Sequence, residues 1–432
     1  MKRVLLGSMS VGGGHNALRD SFVASLKATD PQGTAFEPIV FDSVDTRVSR
    51  FYESTVHLAP TVQRVVFDMG RTRWGVRLSV LLNGPILREA MQALRDHQPD
   101  VVVSTHFLLS LMFAKARRAL GMEVRVVNAI PDYGASTLAF YPRAEDIRPD
   151  YVIAMDRFTH QHLVRERGIP LARTHLSGFV PRPVFLDVAK QLNGGGSLAL
   201  NRRMALQRTL AAQHPQLERL DPRRKTLIFL GGSAWTSKTL PVIERLLATP
   251  EFLETVNVVV VSGKNEEFLA TLRAQVGANP RFSLFGFVAP KVMAQLLALA
   301  DFPVLGSLAP ASMHELLEMR CGPLFLFHYI PGSEDPHAPY IREHEIGIYE
   351  PNPSRMVALL QQATGFTAAS PELARLLEVF PARARAIRAD HLQRARQLGA
   401  FLMQVGEVRR LPVPLPDVAA ATEFGVPRES VS

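Results

Sequence analysis

The sequence predicts an α/β protein built from two Rossmann-like domains that face each other across a cleft. Three observations carry that expectation. Short apolar runs such as VLLGSMS (4–10), DVVVSTH (100–106) and VNVVVVS (256–262) lack polar alternation, as expected of parallel strands buried on both faces. Glycine-containing turns follow several of these runs and lead into amphipathic stretches. The same grammar restarts in mid-chain, and 432 residues exceed the size of one ordinary core.

In order, VLLGSMS passes through GGGH (12–15) into a helix at NALRDSFVASL (16–26). Strands follow at FEPIVFD (36–42), DVVVSTH, VRVVNAI (124–130) and YVIAMD (151–156), and the half closes with HLSGFVPRPVF (175–185). This bounds a first domain at 1–190. Residues 191–222 turn polar, with GGGS at 194–197 and the basic stretch NRRMALQRTL (201–210), and read as a linker that carries some helix. A second domain at 223–375 holds KTLIFLGGS (225–233), VNVVVVSGKN (256–265), FSLFGFV (282–288), DFPVLGS (301–307) and PLFLFHYI (323–330). An arginine-rich amphipathic helix within 376–410 is expected to cross back to the first domain, leaving a tail at 411–432.

Composition narrows the function. A hydrophobic content of 47% with 21% charge is globular. MKRVLLG is too short an apolar run for a signal peptide, and no stretch approaches the ~20 apolar residues of a membrane span. The single cysteine, Cys321, excludes an internal disulfide and any cysteine-based zinc site, which favours the cytoplasm. A net charge of +9 asks for an anionic partner. Neither an RNP-type aromatic signature nor zinc-finger spacing is present, so nucleic acid is not expected. Residues 60–90 interleave Trp74, Phe67, Leu78, Leu81 and Leu82 with Arg64, Arg71, Arg73, Arg77 and Arg88. That mixture suits an anionic membrane surface, giving a peripheral protein on the inner face of the cell membrane.

The chemistry-bearing motifs sit at strand ends. Gly12, Gly13 and Gly14 precede His15 at a strand-to-helix turn, where backbone N–H groups and the helix dipole favour an acceptor or anion. The spacing is not a dinucleotide fingerprint, because residue 17 is alanine. Gly231-Gly232-Ser233 repeats the anion-site logic in the second half. Lys264, in SGKN, offers a point charge to a diphosphate, and Asn265 is placed to cap the next helix. Phe287 and Val288, in FGFV, suit a nucleobase edge. Ser312 and Glu315 lie one turn apart at a helix start, where a carboxylate can accept from a ribose diol. Asp132, in IPDYG, stands at a strand end as a general base or as the group that orients one. Glu334 and Asp335, in PGSEDPHAPYI (331–341), follow an apolar run and a Pro-Gly turn, a placement suited to sugar hydroxyls.

Taken together and in this order, these motifs resemble the glycolipid glycosyltransferases that include plant monogalactosyldiacylglycerol synthase and bacterial processive diacylglycerol glucosyltransferases. Those enzymes are related to the peptidoglycan N-acetylglucosaminyltransferase. The resemblance covers roughly residues 4–365. GGGH looks like the family's glycine–histidine acceptor loop, IPDY (130–133) like its T-D-F/L segment, and GFVPRPVF (178–185) like G-I-P-x-R-P-x-F. PGSEDPHAPYI resembles P-G-Q-E-x-x-N-x-x-Y. The resemblance implies a GT-B architecture and a metal-independent, inverting transfer of a hexose from a UDP-sugar to diacylglycerol or a related lipid, with no cofactor. It implies that Glu315 holds the ribose. Gly231, Gly232, Ser233, Lys264 and Ser312 would serve the diphosphate, and Glu334, Asp335 and His337 the hexose. His15 or Asp132 would take the acceptor proton, while Gly13, Gly14, Arg71, Arg73, Trp74 and Arg77 face acceptor and membrane.

The sequence departs from the family in three places. Ala309-Pro310-Ala311-Ser312 replaces G-G-x-T, and Pro310 has no N–H to offer a phosphate. Ser333 and His337 replace Gln and Asn. GASTLAFYP (134–142) stands where relatives carry histidine and tryptophan. Two alternatives therefore stay open: a catalytically degenerate nucleotide- or lipid-binding relative, and a UDP-sugar epimerase of the two-Rossmann type.

Overall fold

Twelve strands form two separate six-stranded, all-parallel sheets in a computed structural model that describes residues 1–9, 13–44, 47–48, 60–134, 137–191, 200–231 and 238–407. The first contains β1 (Lys2–Met9), β2 (Phe36–Ser43), β3 (Val101–Ser104), β4 (Arg125–Ile130), β5 (Tyr151–Ala154) and β6 (Thr174–Leu176), in the order β2-β1-β3-β4-β5-β6. The second contains β7 (Lys225–Leu230), β8 (Val256–Val261), β9 (Phe282–Phe285), β10 (Phe302–Leu305), β11 (Leu324–Leu326) and β12 (Gly347–Tyr349), in the order β12-β11-β10-β7-β8-β9. The two Rossmann-like domains face a cleft in the GT-B arrangement.

The apolar strand runs explain the layering. Leu5 and Val102 pack on one face against Leu109, Met112 and Phe113 of the 107–120 helix. Val4, Leu6 and Val103 pack on the other against Leu18 and Phe22 of the Gly13–Thr29 helix. Strand order also locates the sites. From β1 the chain runs outward to β2, then crosses back to β3; from β7 it runs out to β9, then crosses back to β10. Crevices therefore open at the carboxyl ends of β1/β3 and of β7/β10.

Two strands, β6 and β12, were not foreseen as such. Each is a three-residue edge strand, too short to register as an apolar run.

Residues 200–211, within the stretch expected as a linker, form a helix embedded in the second domain. Its buried Arg203 donates to Asp301 Oδ2 (2.8 Å), Leu299 O (2.7 Å) and Thr226 Oγ1 (2.7 Å), while Leu210 and Ala211 join that domain's core. The GGGS run lies outside the described residues, as does the tail from 408.

Helices Pro371–Ala395 and Leu398–Glu407 return to the first domain. Leu398, Leu402 and Val405 complete the core beneath β1 and β3, and Lys2 Nζ donates to Gly406 O (3.0 Å). Gly178 fixes the crossing. Its φ is +68°, and a Cβ there would lie 2.2 Å from His391 O, so only glycine fits.

Candidate active site at the cleft

His15 and the segment Ser104-Thr105-His106 meet at the switch point of the first sheet. His15 lies in the first turn of the Gly13–Thr29 helix, and its Nδ1 donates to Thr105 O at 2.6 Å. A carbonyl can only accept, so the ring is the Nδ1–H tautomer and Nε2 keeps a lone pair. Burial pulls the pKa of His15 down to about 4, against the opposing pull of the Thr105 carbonyl. A Cβ on Gly13 or Gly14 would meet nothing within 4 Å, so space lies open over this helix start. Gly12 is outside the described residues.

Asp132 follows β4 in the same domain. It is half-buried, and burial pushes its carboxyl up to about 7. Tyr133 next to it is fully buried, its side chain inserted into the core of the second domain. Its ring stacks on Tyr340 (3.8 Å between centroids, 12°), meets His337 edge-on at 5.1 Å, and its hydroxyl lies 2.9 Å from Met313 Sδ. Gly134 allows this insertion: φ is +73°, and a Cβ would sit 2.9 Å from Pro336 Cγ.

Across the cleft, the loop after β11 carries Glu334. It is buried, accepts from Ser307 Oγ (2.6 Å) and from the Ile330 N–H (2.8 Å), and is raised to about 7 mainly by burial, with Asp132 adding to the shift. Both oxygens thus have protein partners, and Glu334 braces the loop after β10 against the loop after β11. Asp335 is more open; its Oδ1 accepts from the Gly332 N–H (2.9 Å). His337 is fully buried and pulled down to about 3 by burial, so it is a neutral ring beneath the loop.

Glu315 is likewise engaged. Arg182, from the GFVPRPVF segment, binds it in two-pronged fashion, Nε to Oε1 at 2.6 Å and Nη2 to Oε2 at 3.0 Å. The guanidinium also lies over the Phe185 ring, 4.8 Å from its centroid. Ser312 is partly exposed at the start of the same Pro310–Met319 helix. Gly231 is buried at the end of β7, and Gly232 and Ser233 lie outside the described residues.

Lys264 and Phe287 meet at the ends of β8 and β9. Both are exposed, Phe287 by 68%, and the ammonium lies 5.7 Å from the ring centroid. Val288 packs partly into the core, and Asn265 caps the following helix by accepting from the Phe268 N–H (2.9 Å). An open ring with a cation beside it can stack a planar base.

Arg71 is exposed but engaged in ion pairs. It pairs with Asp68 (3.0 Å) and approaches Asp335 (4.0 Å), and a Cβ on Gly332 would lie 3.0 Å from Phe67 Cβ. The Pro60–Gly70 helix therefore covers the 331–335 loop. Arg73, Trp74 (78% exposed), Arg77, Leu81 and Leu82 of the next helix do face outward.

Sequence reasoning missed Thr105, His106, Tyr133, Arg182, Ser307 and Tyr340. All six lie inside segments quoted above, but their partners are distant in sequence. Among the described residues, no group of His, Cys, Asp and Glu could hold a metal ion, and no helix is long and apolar enough to cross a membrane.

The raised carboxyls give a stability prediction. A native carboxyl at about 7 keeps a proton that the unfolded chain releases near 4, so Asp132 costs stability as pH rises from about 4 to 7. Asp132→Asn is expected to gain about 1–2 kcal/mol at pH 8 and almost nothing at pH 4, less than full linkage because solvent reaches the group. Thermal melts at the two pH values check this.

No family model and no curated protein matches the sequence. Solved structures do match in fold. S. aureus MnaA in a co-structure with UDP gives a TM-score of 0.58 at 11% identity, covering 93% of this chain and 97% of that one. UDP-GlcNAc 2-epimerase from Neisseria meningitidis bound to UDP-GlcNAc gives 0.57 at 10%, covering 90% and 100%. A glycosyltransferase from Rickettsia africae ESF-5 gives 0.54 at 11%, covering 94% and 97%. At these identities the likeness carries the GT-B fold.

Proposed function

We propose that the protein is an enzyme acting on a UDP-sugar. The observation that carries this is the facing of two switch-point crevices in a GT-B frame. One holds His15 with a free Nε2 lone pair; the other carries the Ser307–Glu334 loops and the Lys264–Phe287 platform. In this reading the base stacks on Phe287, Lys264 and the helix starts meet the diphosphate, and the sugar lies between His15 and Asp335. Glu315 holds the ribose only by sharing its carboxylate with Arg182. His15 Nε2 takes a proton from the substrate, with Asp132 as the competing base.

Two finer readings divide over which proton is taken. Similarity to structures described with UDP and with UDP-GlcNAc, one of them an epimerase, favours a UDP-sugar epimerase, in which a stereocentre is inverted without a second substrate. One observation favours transfer to a lipid. Trp74, Leu81 and Leu82 stand exposed beside Arg73 and Arg77, apolar and cationic as an anionic leaflet requires. There the lipid hydroxyl oxygen would attack the anomeric carbon as its proton passes to the base. The carbon–oxygen bond to UDP would break with its electron pair on the diphosphate, giving a β-glycoside.

The test incubates the protein with UDP-glucose, UDP-galactose and UDP-GlcNAc, with and without anionic liposomes containing diacylglycerol. UDP release that needs liposomes and yields glycolipid selects the transferase, and Trp74→Ala/Leu82→Ser should then weaken liposome binding about tenfold. Conversion of a UDP-sugar to its epimer without lipid selects the epimerase. Folded protein that neither turns over nor binds any donor overturns the enzyme reading.

A further inference from the structure

His106 closes the end of β3 and does two separable things. As the N-cap of the Phe107–Leu120 helix, its Nδ1 accepts from the Leu108 N–H at 3.2 Å, which places its own proton on Nε2. Its ring also lies 4.7 Å from the His15 ring, tilted by 50°, and stacks on Phe107 at 4.9 Å. The turn that presents it is tied down. Ser104 Oγ donates to His106 O (2.9 Å), and the Thr105 N–H donates to Gly7 O (2.9 Å). Two adjacent residues of one turn thus act on His15: Thr105 O accepts from its Nδ1–H, and the His106 ring packs against it.

We propose that His106 is the positioning residue for His15, holding it as a neutral, Nδ1-protonated imidazole with Nε2 directed to the substrate. The inference rests on the reading of His15 as the proton acceptor. Capping alone does not call for a histidine, since asparagine, aspartate and serine cap better. An imidazole adds an apolar, rotationally confined face against a second ring.

Burial, with His15 adding to it, keeps His106 well below its ordinary range, so neither ring is charged near neutrality. Among the described residues on the surrounding elements, Arg19 pairs with both Asp20 and Asp42, Glu315 pairs with Arg182, and Asp132 and Glu334 are each raised to about 7.

The variant that separates the two roles is His106→Asn. Asparagine can still cap the helix but removes the ring packed on His15, so Tm should stay within a few degrees of the parent. Water then reaches His15, whose pKa should climb from about 4 toward 6.5. The direct readout is histidine-selective 15N NMR, with His15 assigned through His15→Gln. The parent should show His15 protonated on Nδ1 and His106 on Nε2 between pH 5.5 and 8, and His106→Asn should titrate His15 upward. UDP-sugar turnover, if present, should fall about ten- to a hundredfold, with its acid limb moved to higher pH.

An unshifted His15 titration in the folded variant overturns the proposal. So does an Nε2-protonated His15 in the parent, a measurement that needs no variant to fold. Absence of turnover in the parent, with both tautomers as expected, strikes the functional reading and leaves the positioning intact.

Discussion

Replacing His15 by alanine or glutamine is expected to lower UDP-sugar turnover by about 10²–10⁴-fold, the range a positioned general base contributes. The fold should tolerate it, because the side chain contributes one hydrogen bond, to Thr105 O, and Gly13 and Gly14 border open space rather than core. The pH profile adds a second, independent readout. A base works only when deprotonated, so activity is present above its pKa and lost as pH falls through it. With His15 as the base, the acid limb of kcat/KM falls near 4; with Asp132 as the base, it falls near 7. The two candidates, indistinguishable by their positions in the sequence, are separated by about three pH units. Steady-state kinetics from pH 3.5 to 8.5 on the parent and His15→Gln settle the assignment. A limb near 7 together with an active His15→Gln transfers the role to Asp132.

What the sequence disclosed and what it hid follow from the range of the interactions. Strand interiors such as Val258–Val261 were legible because burial on both faces leaves an uninterrupted apolar run, a local signal. The GGGH turn was legible because glycines, a strand end and a helix start are neighbours in the chain. The edge strands β6 and β12 were not, since three residues are too few to show a period. Within the site, side chains were found by type but not by partner. The sequence marks Glu334 as a carboxylate suited to sugar hydroxyls; its partners Ser307 and the Ile330 N–H are seen only in the structure. Arg71 stands with Trp74 by composition, and its approach to Asp335 at 4.0 Å is invisible in the sequence. Tyr133 sat beside a chosen aspartate and was passed over, because its stacking partner, Tyr340, belongs to the other domain. Contacts between the two domains, such as Tyr133 with Tyr340 and Arg182 with Glu315, leave no trace in local pattern.

Removing the Arg182 side chain is expected to produce the largest loss of stability of any single change considered. Its two-pronged pairing with buried Glu315 joins the end of the first domain to the Pro310–Met319 helix of the second. Deleting one partner of such a pair strands a buried charge, at a cost of about 3–5 kcal/mol when the pair is fully enclosed. Here the cost should fall near 3 kcal/mol, because about a third of the Arg182 side chain is exposed and Glu315 can escape by taking a proton. Burial already presses the Glu315 pKa upward, opposed by the guanidinium. Without Arg182 that opposition disappears, and the native state holds a proton that the unfolded chain gives up near 4.5. Native protons in excess mean that stability falls as pH rises, so Arg182→Ala should lose more at pH 8 than at pH 5. Arg182→Ala/Glu315→Gln, with no charge left to strand, should recover much of the loss at pH 8. Denaturant melts of both variants at the two pH values measure this. A pH-independent loss that the second substitution fails to rescue would assign the effect to packing over Phe185 instead of to the ion pair.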